Sequence, residues 1–223
     1  GWQRMDTGTE ADLFGIGDYR GTIHAGGRDG TLRRLGSGGW ANAPEEIYTR
    51  DNEDAVLDTL LRSEDVESVT AISRYGIAGS DGMILMDDPE TDWQLRRITG
   101  GAEWITDATS SDRVAGNFLS TDGGRLFQLE ETEGGRLAWR ERFSPALESL
   151  VYGIYADAAD TVWAVTNDGR VTRVDPGGNL EEIVLYEDGL VLFDIWGTSG
   201  TNLYAVGIDG RVLHFHEINP GEY

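Results

Sequence analysis

Residues 195–217 read "IWGTSGTNLYAVGIDGRVLHFHE". An apolar run ends at a small polar turn. A second run, "NLYAVG", ends at Asp-Gly, and a third, "RVLHFH", begins at once. Asp-Gly between two short apolar runs is a hairpin signal, because both central residues of the tight turn take positive φ. The stretch therefore reads as three antiparallel strands in succession.

The same unit recurs along the chain. Asp-Gly falls at 29–30, 81–82, 122–123, 168–169 and 209–210, at intervals of 52, 41, 46 and 41 residues. Aligned on the glycine, "TNLYAVGIDGRVLHF" matches "DTVWAVTNDGRVTRV" and "GTIHAGGRDGTLRRL". Tyr204, Trp163 and His24 each stand six residues before their glycine. An apolar run lies upstream in every unit: "LFGIG", "SVTAIS", "EWITDA", "VYGIYA" and "LFDIWG". Downstream come Trp40, Trp93, Trp139 and the run "LEEIVL". Each unit is thus strand, strand, Asp-Gly hairpin, strand, strand. Four-stranded units of about 40–45 residues are propeller blades. "LYAV" and "VWAV" are apolar on both faces, as in a sheet stacked between two others.

The expected fold is all-β, a five-bladed β-propeller occupying residues 1–223 as a single domain. "GWQRMDTGTEADLFGI" at the start matches "DWQLRRITGGAEWITDA" at 92–108, so Trp2 is expected to lie on an N-terminal strand that closes the last blade. The second unit is longer than the rest. Its insertion, near 48–65, holds "DNEDAVLDTLLRSED". There Asp51 or Asn52 can cap a short helix over about 52–63 whose apolar face is Val56, Leu57, Leu60 and Leu61.

The repeats resemble a bacterial propeller repeat of the form V-W-G-x-S-x-x-x-x-[WY]-A-V-G-x-x-G-x-[IV]-L-H-[YF]. The match is closest in "IWGTSGTNLYAVGIDGRVLHF". The resemblance implies a secreted, periplasmic or envelope location. "STDGGRLF" at 120–127 also resembles the Asp-box hairpin of sialidase-like propellers, but occurs in one unit only and is read as a turn.

Bulk composition narrows the partners. With 40 acidic and 18 basic residues the formal charge is −22, which argues against nucleic acid or an anionic membrane surface. Cysteine is absent, which excludes disulfides, thiol nucleophiles and thiolate metal sites. No apolar run approaches the length of a membrane span, so no membrane insertion is expected. A monomer is expected.

Three sets of residues could carry chemistry. His24, His214 and His216 could ligate a metal, yet His24 and His214 occupy packing positions of the repeat. The turn carboxylates Asp29, Asp81, Asp122, Asp168 and Asp209 have local turn chemistry as their reason. Asp12, Glu67, Glu103, Glu148 and Asp188 each precede an inner strand, where propeller loops surround the channel mouth. These five are the candidate ligand-binding residues, and weak calcium is the one cofactor they suggest. No catalytic residue is assigned, because no Ser-His-Asp order, Gly-Lys phosphate loop or His-Glu zinc helix is present. The reading is a non-catalytic binding or scaffold propeller with a protein or carbohydrate ligand. The alternative is a carbohydrate-active propeller, lectin or glycosidase, that uses the channel-mouth acids.

Overall fold

The computed structural model describes residues 5–19, 22–29, 31–42, 68–88, 92–99, 103–111, 113–142, 149–184 and 190–216. Among the described residues nineteen strands form five antiparallel sheets, the blades of a five-bladed β-propeller. The first holds β1 (Leu13–Tyr19), β2 (Thr22–Gly27), β3 (Leu32–Gly36) and β4 (Gly39–Asn42). The second holds β5 (Val69–Ser73), β6 (Gly76–Gly79), β7 (Met83–Asp88) and β8 (Asp92–Arg97). In the third are β9 (Ile105–Ala108), β10 (Phe118–Thr121), β11 (Leu126–Glu131) and β12 (Leu137–Glu141). The fourth has β13 (Val151–Ala156), β14 (Val162–Thr166), β15 (Arg170–Val174) and β16 (Leu180–Val184). The fifth shows three strands: β17 (Leu192–Ser199), β18 (Asn202–Gly207) and β19 (Val212–His216). Trp2, expected to supply a fourth strand there, and the helix expected over 52–63 both lie outside the described residues. Helical structure among the described residues is confined to three single 3-10 turns.

Strand order follows chain order in every sheet, as hairpin connections require. The chain divides into two compact units, Gly1–Ile105 with Glu131–Leu137, and Thr106–Glu130 with Ala138–Tyr223.

In the first unit β1 packs on β5 at very short range. A Cβ on Gly15 would lie 2.4 Å from the Thr70 carbonyl oxygen, so only glycine permits this approach. The Thr70 hydroxyl donates in turn to the Ile105 carbonyl. The second unit repeats the device. There Gly153 of β13 faces Asp194 of β17, and a Cβ on Gly153 would lie 2.7 Å from the Asp194 Cα. Inner strands β1, β5, β13 and β17 each carry a register irregularity one residue after their first residue. Extra local twist of this kind is what a β-bulge supplies.

Blade four is filled from both sides. Val151, Val162 and Ala164 pack with Phe118 and Leu126 of blade three, while Trp163 and Val165 pack with Leu192, Ile195 and Leu203 of blade five. Each fully buried side chain of this size contributes roughly 1.5–3 kcal/mol of transfer free energy.

The Asp-Gly hairpins fall into two kinds, where the sequence suggested one. Asp29, Asp81 and Asp209 have φ of 56°, 56° and 58°, and Gly82 and Gly210 follow at 62° and 71°, which is the two-residue turn expected. Asp122 and Asp168 keep negative φ, and the left-handed residues are Gly124 and Gly169 instead. The reason is a threonine. The hydroxyls of Thr121 and Thr166 accept the N–H groups of Arg125 and Arg170, both at 3.1 Å, and the turn closes one residue earlier, on the Thr121 and Thr166 carbonyls, which accept the N–H groups of Gly124 and Gly169. Asp168 then accepts from Thr166 Oγ1 at 2.6 Å and from Ser149 Oγ at 2.8 Å. Partial burial opposes its ionisation, but these hydrogen bonds and the Arg170 charge outweigh that and hold the carboxyl below its ordinary value.

Candidate functional site

Of the five acids expected at a channel mouth, two are described. Asp12 precedes β1 and is exposed. Its carboxylate pairs with the Arg28 guanidinium at 3.1 Å while its carbonyl accepts the Arg28 N–H at 2.9 Å. It clasps the β2–β3 hairpin. Glu103 precedes β9 and is half-buried. Glu67, Glu148 and Asp188 lie outside the described residues. Among the described residues no group of three His, Asp or Glu side chains is placed to hold a metal ion.

His24 is buried in blade one. Its Nδ1 donates to the Thr22 carbonyl at 2.9 Å and its ring meets Tyr19 edge-on at 5.7 Å. Burial pushes its pKa down, so the ring is held neutral. His214, on β19, stacks on Tyr204 at 4.3 Å, with Nε2 against Asn202 Oδ1 at 2.8 Å. The His216 side chain lies outside the described residues.

Two other carboxylates converge on β13. Asp107 stands two residues into β9 and Asp194 two residues into β17, the strand position filled by Gly15, Ala71 and Gly153 in the other blades. Asp107 Oδ2 accepts the Ile154 N–H and Oδ1 the Ala108 N–H, at 2.8 and 2.7 Å. Asp194 Oδ1 accepts the Ile195 N–H at 2.7 Å and lies 2.8 Å from where a Cβ on Gly153 would stand. Burial pushes the Asp107 pKa up to about 7. The two backbone donors oppose that rise and the Asp194 charge adds to it. Asp194 is raised as well, by desolvation against the Ile195 hydrogen bond. A strand-by-strand alignment would expose this pair, since an aspartate at a position otherwise filled by glycine or alanine is anomalous. The acids ahead of the inner strands do not include it.

A concavity lies between blades four and five. It has a volume of about 430 Å³ and is lined by Asp157, Trp163, Arg173, Glu181, Ser199, Gly200, Thr201 and Phe215. Trp163 and Phe215, with ring centroids 5.5 Å apart, also wall an apolar cavity of about 230 Å³ directly behind it. Asp157 is held by its own turn: Oδ1 accepts from Ala159 N and Thr161 N at 2.8 and 3.0 Å. Arg173 lies 5.8 Å from the Trp163 ring and pairs with Glu181 at 3.2 Å. Trp163 is 4% exposed, and its indole N–H has no hydrogen-bond partner among the described residues. Leaving such a donor unpaired costs about 1–3 kcal/mol.

One sheet face stands out by exposure. Across β17, β18 and β19 the register sets Trp196 beside Tyr204 and Tyr204 beside His214, with Asp194, Val206 and Val212 in the next row. Trp196 is 61% exposed and Val212 65%, whereas Ile195, Leu203 and Ala205 on the opposite face are buried. In the first unit Met5, Leu13, Phe14 and Ile16 line an apolar crevice of about 390 Å³ with Trp40.

No protein-family model matches the sequence, and no curated protein matches it. Solved structures do. YCF48 from Cyanidioschyzon merolae is 18% identical, with a TM-score of 0.64 over 96% of this chain and 72% of that one. The Cps50 (Swd1) β-propeller domain of Myceliophteria thermophila is 13% identical, with a TM-score of 0.64 over 92% and 71%. The WD40 β-propeller domain of Doa1 is 10% identical, with a TM-score of 0.62 over 92% and 65%. At these identities the likeness is one of fold, and the class it defines is the β-propeller.

Proposed function

We propose that this chain is a non-catalytic binding propeller that docks a protein partner on the face of blade five opposite blade four. The observation that carries the reading is the exposed face of β17–β19. Trp196, Tyr204, Val206 and Val212 form a contiguous apolar and aromatic surface on a rigid sheet. Apolar patches of this kind on a folded surface mark contact sites, and aromatic side chains dominate interface energetics. The partner is a protein offering apolar side chains, because the formal charge of −22 repels polyanions. Propellers among the similar structures, a WD40 domain included, support a scaffold role by analogy of fold. The bacterial repeat pattern in "IWGTSGTNLYAVGIDGRVLHF" supports an extracellular or envelope setting.

A peptide-display selection tests the reading. Peptides enriched on the wild-type protein should lose binding to Trp196→Asp and Val212→Asp variants that keep the wild-type circular dichroism. Failure to enrich any peptide, or enrichment that survives both substitutions, overturns it. A second reading, carbohydrate binding, is favoured by the polar cleft over Trp163.

A further inference from the structure

We infer that the exposed face of blade five docks blade one of a second copy of this chain, head to tail. The inference rests on the protein-partner reading of that face and names the partner.

The junction between blades four and five shows what the two sides of such a contact are made of. Blade four contributes Tyr155, Trp163, Val165 and Val171, and blade five packs on them with Leu192, Ile195, Leu203, Ala205 and Leu213. The two blades share one register. Tyr155 lies beside Trp163 as Trp196 lies beside Tyr204, and Val165 beside Val171 as Val206 beside Val212. Trp196, Tyr204, Val206 and Val212 are therefore the counterparts of the residues by which blade four holds blade five. On blade four these positions are packed, and on blade five all of them are exposed.

The other half of the contact is exposed on blade one. The irregularity of β1 falls between Leu13 and Gly15 as that of β17 falls between Leu192 and Asp194, so Leu13 and Ile16 correspond to Leu192 and Ile195. Counted back from the hairpin glycines Gly30 and Gly210, Ile23 and Ala25 correspond to Leu203 and Ala205. Blade one thus carries the apolar set with which blade five covers blade four. Leu13, Ile16 and Ile23 are exposed, Ile16 by 70%. The crevice of about 390 Å³ on this blade is lined in part by Leu13, Ile16 and Ala25. Their counterparts on blade five pack with Trp163, so the crevice is placed to receive Tyr204 of the other copy, which stands at the Trp163 position. One position departs from the match: Arg33 stands where blade five has Leu213, and it is buried.

The two faces are unlike, so the contact is heterologous, and each copy offers one face of each kind. It continues between molecules the stacking that joins blade four to blade five within one. The formal charge of −22 on each copy opposes approach. The exposed side chains of both faces named above are uncharged, so burial of apolar surface drives the association. Association should therefore tighten with salt, as the screening length falls from about 10 Å at 0.1 M to about 3 Å at 1 M.

The test is sedimentation velocity of the purified full chain over a concentration series at low and high sodium chloride. Species of twice the monomer mass or more should grow with protein concentration, and more so at high salt. Trp196→Asp removes one face and Ile16→Asp the other, and each variant alone should stay monomeric. Mixed, they should form one-to-one dimers and nothing larger, because each keeps the face that the other has lost. Val212→Asp and Ile23→Asp serve as the second pair should either first variant lose the wild-type circular dichroism. A monomeric wild type at every concentration, association that weakens with salt or survives either substitution, or a mixture that stays monomeric or grows beyond dimers overturns the inference. Peptides that enrich on a chain that stays monomeric, and depend on Trp196, leave the protein-partner reading standing and sink this one.

Discussion

Blades four and five share the pattern of apolar runs around an Asp-Gly hairpin and are buried differently. In β14, "VWAVT", all five residues are buried. In β18, "NLYAVG", burial alternates: Leu203 and Ala205 are covered, Tyr204 and Val206 exposed. Trp163 and Tyr204 hold the same position relative to their hairpin glycines, yet they are 4% and 38% exposed. Within its unit and among the described residues, blade four has packed partners on both faces, and blade five packs on blade four. An apolar-on-both-faces pattern therefore states what a strand can bury, while its neighbours decide what it does bury.

Paired truncations press hardest on this comparison. Leu203→Ala, on the covered face, should cost about 2–5 kcal/mol of stability by denaturant titration. Val212→Ala, on the exposed face of the same sheet, should stay within about 0.5 kcal/mol. Equal losses would show that both faces of blade five are covered in solution.

A pH series sharpens it through the carboxylates that flank blade four. With its pKa raised from 3.8 to about 7, folded Asp107 holds a proton that the unfolded chain releases. Its contribution to stability is therefore complete below the unfolded value, declines as pH rises from about 4 to 7, and is gone above the folded value. The decline is on the order of a few kcal/mol, since each tenfold change in proton affinity corresponds to about 1.4 kcal/mol. Asp194→Asn removes the like charge and should move the midpoint of the decline to lower pH. Carboxyl NMR titration of Asp107 reads this directly, and an unmoved midpoint would mean that the two groups do not interact.

Gly153→Ala should cost about 1–3 kcal/mol in thermal or denaturant melts, because the new methyl meets the Asp194 backbone 2.7 Å away. Gly200→Ala meets the end of the Asp157 side chain instead, a group that can turn aside, and should cost less. A reversed order would mean that the two inner strands are not in close approach.

The smallest effect concerns the hairpins. Asp209→Ala, at φ 58°, should lose about 1 kcal/mol, whereas Asp209→Gly should be close to neutral by the same measurement. In blade four the left-handed residue is Gly169, so Asp168→Ala acts only through lost hydrogen bonds to Thr166 and Ser149.

Much of the fold was legible in the residues themselves. The Asp-Gly spacing marks five hairpins, and the apolar runs beside them coincide with inner strands from β1 to β17 and outer strands from β4 to β16. These signals are local: a turn needs left-handed backbone at a few adjacent residues, and a strand needs an apolar run. The distinction between the two hairpin types escaped because it depends on a threonine hydroxyl placed before the Asp-Gly pair. The candidate site was less legible. Acids ahead of the inner strands were visible, but Asp12 proves to be paired with Arg28. Asp107 and Asp194 became a pair only when β9 and β17 were set on either side of β13.

The sequence by itself determined the blade count, the order of strands, the hairpin positions and the exclusion of thiol chemistry, because each follows from residue type and spacing along the chain. Only the tertiary structure decided that the Trp163 N–H has no partner among the described residues, that burial pushes the Asp107 pKa up to about 7, and that Trp196 and Val212 are exposed. Burial, desolvation and hydrogen-bond satisfaction depend on atoms brought close by folding, and no spacing along the chain encodes which atoms those will be.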